Sequence, residues 1–402
     1  MDKQELKINK QDNILYIELP SLLDKNNSQD VLNDIYSRLD SNISKLVFNA
    51  QELRYITADG LDVILELKKK YNDILIDNAR IGITDTLALY GFNYFVDINK
   101  KYRFVSIEGC KVIGEGGHGT IYKIGEDTIL KVYKDHSPIE VIEKERLYAK
   151  NAFTHGISTA IAYDVVETEQ GYGVIFELIN GMTLGQYLKD HPEKLNEYSE
   201  KFSDLLYTLN HTEADVDLYD DYQEVLIQRC EASLKYISRK NVEELKRIVK
   251  SIPKGNGMIH GDYHPNNVMI DSEGKLVLID MADIARGNGF YDLGSSYLLM
   301  KFLPKIPLLK SVSKKVTSIS PNSCLKMWDI LMHRYFNTND EELFKKLDKQ
   351  YKAYANMRIA TNMGMQTSHP IILRKIMAIY TKIFILPKAD EYIRLFSSVE
   401  NS

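Results

Sequence analysis

The residues best placed to do chemistry lie in the run His260-Gly261-Asp262-Tyr263-His264-Pro265-Asn266-Asn267-Val268. An Asp on a loop can accept the proton of an attacking hydroxyl. Asn267, five residues further on, offers a neutral oxygen to a hard cation such as Mg²⁺. Asp280, thirteen residues past Asn267 and at the end of the apolar strand Leu276-Val277-Leu278-Ile279, offers a charged one. A base beside two hard ligands is the equipment of phosphoryl transfer. A chance H-x-D-x-x-x-x-N in a chain with nine histidines has odds on the order of a few per cent. A strand-end Asp at the right distance lowers them further.

Two upstream features point the same way. Gly114-Glu115-Gly116-Gly117-His118-Gly119 fits G-x-G-x-x-G. It falls between two strands rather than between a strand and a helix, the hairpin placement of a kinase glycine loop. Backbone N–H groups there can approach phosphate oxygens closely; an ordinary glycine-rich turn is the plainer alternative. Twelve residues past Gly119, Lys131 sits inside the apolar strand Ile129-Leu130-Lys131-Val132-Tyr133. It must reach solvent or meet an anion, because burying an unpaired charge is expensive. The nucleotide's α- and β-phosphates would serve, with Glu145 on the next helix orienting the lysine and Glu143 as the reserve.

The elements that must position these groups follow from periodicity. In the first hundred residues, strands at Ile14–Leu19, Lys45–Phe48 and Ile74–Ile76 alternate with helical patterns. Val31, Leu32, Ile35, Tyr36 and Leu39 recur behind a capping-type Ser28; Leu61, Ile64 and Leu65 follow Gly60; a last helix spans about 85–91. This alternation predicts a small α/β domain with a largely buried sheet. Residues 98–108 read as a short, stiff, strand-like connection. Three closely spaced strands follow at Lys111–Gly114, Thr120–Ile124 and Thr128–Tyr133, then a helix from about Pro138. A strand pair ends at Tyr172–Leu178. Beyond Gly181 the chain reads as mainly helical, apart from a strand–loop–strand insertion at about 258–280.

The remaining composition narrows the class. The chain has 402 residues, enough for two or three domains, and 44% apolar with 27% charged residues excludes a fibrous or disordered polymer. A net charge of −5 argues against a nucleic-acid partner. Cys110, Cys230 and Cys324 are far apart, which disfavours a disulfide framework or zinc site and favours a reducing, cytoplasmic setting. No apolar run is long enough for a membrane span.

From about residue 106 onward, the sequence resembles the aminoglycoside phosphotransferase and choline kinase branch of the protein-kinase-like fold. The match lies in H-G-D-x-H-x-x-N (His260 to Asn267), Ile279-Asp280 and Asp292-Leu293-Gly294. The resemblance implies a bilobal α+β domain with a smaller lobe at about 106–180 and a mainly helical lobe at about 181–402. It implies ATP and Mg²⁺ as cofactors, Asp262 as catalytic base and Asn267 and Asp280 as metal ligands. Gly114, Gly116, Gly119, Lys131 and Glu145 would hold the phosphates, and Glu177 to Ile179 would present backbone to adenine. His260 and Asp292 would hold the loop, with His264 as a loop hydrogen-bonder. Gly261 stands where protein kinases have Arg, and Asp280-Met281-Ala282 where they have D-F-G; both favour the small-molecule branch.

Residues 1–105 resemble a STAS domain, the α/β fold of anti-anti-sigma factors, through Leu46–Phe48, the loop Ile56-Thr57-Ala58-Asp59-Gly60-Leu61, Leu75–Ala79 and Leu87–Phe92. Signalling members carry a phosphorylated Ser where this chain has Ala58; Thr57 next to it reads as an N-cap.

Two charge runs bear on the acceptor. Glu213, Asp215, Asp217, Asp220, Asp221 and Glu224 would attract a cation, whereas Lys301, Lys305, Lys310, Lys314, Lys315 and Lys326 would meet an anionic partner or membrane surface. Each also fits a solvated face. The reading is an ATP- and Mg²⁺-dependent phosphotransferase acting on a hydroxyl of a small molecule, with a STAS module that regulates it or docks a protein partner. The competing readings are a Ser/Thr protein kinase of a STAS signalling pathway and a non-catalytic nucleotide-binding scaffold.

Overall fold

The computed structural model describes residues 6–116, 119–134, 137–364 and 370–399; Gly117 and His118 of the glycine run lie outside them. The chain forms two compact units, Met1–Glu108 with Asp164–Gly173, and Gly109–Tyr163 with Val174–Ser402.

The first unit is built on a five-stranded sheet in the order β1-β2-β3-β4-β5: Ile8–Gln11, Ile14–Glu18, Lys45–Asn49, Asp73–Ala79 and Asp97–Lys100. β1 and β2 form an antiparallel hairpin; β2 through β5 run parallel, so each successive pair needs a crossover. The helices α1 (Ser28–Arg38), α2 (Ala58–Lys68) and α3 (Ile81–Leu89) supply these crossovers. The register stacks Leu15, Leu46 and Ile74 in one row and Ile17, Phe48 and Ile76 in another, and all six are buried. Each such side chain contributes roughly 1.5–3 kcal/mol by leaving water.

Several local expectations shift. Asn27, not Ser28, takes the N-cap position of α1. α3 starts at Ile81 rather than near 85, because Ile81, Ile83, Thr84 and Leu87 are all buried and their β-branched run reads as strand. Thr57 is the N-cap residue of α2, but its hydroxyl makes no capping bond. A Cβ on Gly60 would meet Leu23 O at 2.4 Å, so this glycine serves the close approach of α2. The stretch 98–108 splits into β5 and the short strand β6 (Arg103–Phe104), which runs parallel to Val166 and Glu167. Just beyond β6, Ile107 N donates to Glu169 Oε2 at 3.1 Å and Ser106 Oγ bonds Glu169.

The second unit starts with β7 (Lys111–Glu115), β8 (Gly119–Lys123) and β9 (Thr128–Tyr133), a continuous antiparallel meander. The helix α4 (Ile139–Thr154) follows, with Pro138 at its N-cap, and then the hairpin strands β10 (Ala162–Thr168) and β11 (Gly171–Glu177). Beyond Gly181 helices dominate. Among them are α5 (Leu195–Asn210), α6 (Phe290–Tyr297, every residue buried), α7 (Glu341–Asn362) and α8 (Ile371–Tyr380). Short strands at Gly257–Ile259, Val268–Asp271, Leu276–Leu278 and Ala285–Gly287 interrupt them. None of the described helices is long and apolar enough to cross a membrane.

Candidate active site

The loop bearing Asp262 is held from below by a buried carboxylate. Asp292, on α6, accepts from His260 N and Gly261 N, each at 2.8 Å, and from Asn210 Nδ2 at 2.9 Å. His260 Nε2 lies 3.1 Å from Ile279 O, tying the loop to the strand that ends at Asp280. Gly261 has φ +78°, and a Cβ there would meet Asp283 O at 2.7 Å. No L side chain suits that backbone or that space, which accounts for glycine at this position. Pro265 and Asn267 then turn back as a short 3₁₀ helix, and Asn267 Nδ2 donates to Asp262 O at 2.9 Å. Ile279 N donates to Asn267 O at 3.0 Å, so the residue preceding Asp280 is bonded to Asn267 itself. Asp280 sits in the left-handed region at φ 60°, where the chain leaves the strand.

Lys131 lies at the middle of this arrangement. Its Nζ is 2.7 Å from Glu145 Oε1 and 2.8 Å from Asp280 Oδ1, with 11% of its side chain exposed. Glu145, rather than Glu143, is the carboxylate α4 places beside it. Burial opposes the lysine's charge, but the two carboxylates outweigh it and push the ammonium well above its ordinary range. Tyr133, two residues along β9 and therefore on the same face, donates to Glu145 Oε2 at 2.5 Å. Burial and the adjacent Glu145 raise its phenol and keep it neutral.

The glycines divide by role. A Cβ on Gly119 would meet Val132 O at 2.1 Å, so this residue is needed for strand pairing whatever the loop binds. Gly116 has open space around it, apart from Gly119 O at 4.0 Å, and its N–H donates to that carbonyl at 2.9 Å. Gly114 has only ordinary contact with Ile121. At the lobe crossing, Glu177 N donates to Ile161 O and Leu178 N to Asp127 O, each at 2.9 Å. These bonds fix the extended path from Glu177 to Ile179.

Sequence reasoning missed Arg358. It projects from α7, ninety-six residues past Asp262, and carries no motif. Its guanidinium is buried and donates to Gly261 O at 2.9 Å, Ser295 Oγ at 2.5 Å and Asp262 Oδ1 at 3.2 Å. The one available signal was a lone arginine in the otherwise apolar and small stretch Tyr354-Ala355-Asn356-Met357-Arg358-Ile359-Ala360. His264 also does more than bond its loop. Nδ1 accepts from Asn266 N at 3.2 Å, while Nε2 lies 3.4 Å from Asp262 Oδ2. Burial would raise the Asp262 carboxyl, but the His264 contact and the charges of His264, Arg358 and His260 outweigh it. They hold the group well below the usual carboxylate range. Its side chain still keeps 41% exposure on one edge, where an acceptor could approach.

Part of each charge run is absorbed structurally. Asp220 pairs with Lys144 at 3.0 Å, Asp221 caps the helix Tyr222–Ala232 and pairs with Lys254 at 3.1 Å, and Lys301 pairs with Asp348 at 2.8 Å. Among the described residues, no group of three or more His, Cys, Asp or Glu side chains is placed to hold a metal. The Asn267 and Asp280 pair still fits Mg²⁺, which takes few protein ligands and completes its shell with water and phosphate oxygens.

No curated protein sequence matches the chain. Solved structures similar to it include the streptomycin–ATP–APH(2'')-IIa ternary complex, at 14% identity and TM-score 0.44, covering 71% of this chain and 93% of that one. Aminoglycoside phosphotransferase APH(4)-Ia is similar at 15% identity and TM-score 0.47, covering 72% and 94%. Plasmodium vivax ethanolamine kinase is similar at 12% identity and TM-score 0.48, covering 90% and 95%. Residues 109–306, which include the glycine run, Lys131, Asp262, Asn267, Asp280 and Asp292, match the phosphotransferase enzyme family (APH).

Proposed function

We propose that the second unit transfers the γ-phosphoryl group of ATP to a hydroxyl of a small molecule, with Mg²⁺ held by Asn267 and Asp280. One observation carries this reading: Lys131 is fixed between Glu145 and Asp280, and the strand ending at Asp280 is bonded to the loop that presents Asp262. In the transfer, the acceptor oxygen forms a bond to the γ-phosphorus, the bond from that phosphorus to the β,γ-bridging oxygen breaks, and ADP leaves. The hydroxyl proton goes to Asp262. A carboxylate held this far below its ordinary range is a weak base. It therefore orients the hydroxyl first and takes the proton only as the new O–P bond makes that proton acidic. Mg²⁺ would supply charge stabilisation on the phosphates. Gly114, Gly116 and Gly119 would line them, and Glu177 and Ile179 would meet adenine.

Residues 1–105 act, in this reading, as a STAS-like module that regulates the enzyme or docks a protein partner. Support comes from the sequence resemblance and from the three parallel crossovers around the loop at 57–61.

The test is Asp262→Ala. With γ-labelled ATP and a panel of hydroxylated metabolites, the parent protein should label at least one, and the variant should lose turnover by roughly 10²–10⁴-fold with nucleotide affinity nearly unchanged. A large loss of nucleotide affinity would instead make Asp262 a metal ligand, and a panel with no labelled product would refute the activity.

A further inference from the structure

The helix α8 continues through a π-helical turn at Thr381–Ile385, giving one helical rod from 371 to 385. Its outward face is apolar. Ile372, Ile376, Ile379 and Ile383 follow the i, i+4, i+7, i+11 spacing of a single stripe. Ile372 keeps 71% of its surface exposed, and the other three keep 56%, 58% and 57%. Ala378, Thr381 and Ile385 face inward, and Tyr380 Oη donates to Asn356 Oδ1 on α7 at 2.6 Å, so the rod is anchored on its other side. Lys375 and Lys382 are both exposed and border the stripe along one flank, one helical heptad apart.

Charge decides what covers this face. No Asp or Glu occurs between Asp348 and Asp390, while Arg374, Lys375, Lys382 and Lys388 crowd the end of that interval. A second copy of the chain seated two-fold on the stripe would set these cations against their own counterparts. An anionic surface meets them favourably. Isoleucines bordered by lysines on a helix too short and too charged to span a bilayer match an element that lies in the interface.

We propose that the 371–385 rod docks the protein on an anionic lipid bilayer, with the isoleucine stripe entering the headgroup–acyl boundary and Lys375 and Lys382 meeting lipid phosphates. The inference does not depend on the phosphotransfer reading, because it concerns a face remote in sequence from Asp262 and Asp280.

The experiment is co-sedimentation of the full chain with vesicles of phosphatidylcholine containing 30% phosphatidylglycerol, and with pure phosphatidylcholine. The anionic vesicles should bind it at least about tenfold more strongly, an advantage lost in high salt. Ile376→Glu/Ile379→Glu should abolish binding, and Lys375→Glu/Lys382→Glu should weaken it about tenfold or more. All four positions are solvent-exposed, so melting temperatures should match the parent. Absence of binding to the anionic vesicles, or equal binding by the isoleucine variant, overturns the proposal. So does concentration-dependent self-association by light scattering that the isoleucine variant removes.

Discussion

Replacing Arg358 by Met removes the cation that supports Asp262 while keeping most of the volume. Arg358 is 9% exposed, and its guanidinium donates to Gly261 O, Ser295 Oγ and Asp262 Oδ1. Methionine offers none of these N–H groups. Breaking one partner out of a buried charged network costs about 3–5 kcal/mol, and the open edge of Asp262 places the loss toward the lower end. For a unit of this size that is roughly 5–10 °C in melting temperature. The second effect is on the Asp262 carboxyl, the base of the proposed function. A full charge at 3.2 Å has a ceiling of about 5 kcal/mol at an effective dielectric of 20, and screening at a part-exposed carboxylate reduces it to about 1–2. Asp262 should therefore rise by about one pH unit, with His264 still holding it below its ordinary 3.8. Because the folded carboxyl is depressed, its stabilising contribution is present above about pH 4 and is lost as pH falls through the folded value. The melting-temperature gap between parent and variant should hold its full size from neutrality down through the usual carboxylate range and narrow only in strong acid, where the folded carboxyl itself takes up a proton. Thermal unfolding from pH 8 into strong acid, together with pH–rate profiles, measures both effects, and Arg358→Lys should recover only part of the loss because it lacks the planar fork. An Arg358→Met protein with parental melting temperature and an unmoved acid limb would refute this account of how the base is held.

Asp280→Asn tolerates the left-handed backbone at φ 60° but removes the charge that pairs with Lys131 and that, in the proposed function, would hold Mg²⁺. Turnover should fall by at least about 10²-fold while the fold persists, and near-normal turnover at saturating Mg²⁺ would show that Asp280 is not the ligand. Gly261→Ala should lower the melting temperature and depress turnover together, since a Cβ at φ +78° meets Asp283 O; strain of about 1–3 kcal/mol is expected, and unchanged unfolding would count against it. Incubating the full chain with labelled ATP and mapping phosphosites should find none in residues 55–61, because Ala58 cannot carry phosphate. Stoichiometric label on Thr57 would favour a protein kinase instead.

Asp262, Asn267, Asp280 and the glycine run could be singled out because the chemistry proposed for them fixes short spacings along the chain: one loop carries Asp262 and Asn267, and a strand end carries Asp280. The lysine was legible because an ammonium in an apolar strand demands a partner. Periodicity likewise marked the strands of the first unit, where the central strand Lys45–Asn49 is buried on both faces, its neighbours are buried mainly on one, and the apolar runs are short and bounded. It failed at Ile81–Thr84, where β-branched residues are helical because their burial outweighs propensity.

What the sequence determined, then, was which residue types are available for the proposed phosphotransfer and the order in which they arrive. The tertiary structure decided which of two glutamates lies beside Lys131, because helical phase turns Glu145 inward toward β9. It also decided that Asp262 is held by Arg358, a contact between residues ninety-six apart that no local pattern encodes. It separated Gly119 and Gly261, which are needed for close backbone approach, from Gly116, which has room around it. Spacing constrains neighbours on one element; partners brought from distant helices depend on how the apolar faces pack, and that is settled only when the whole unit folds.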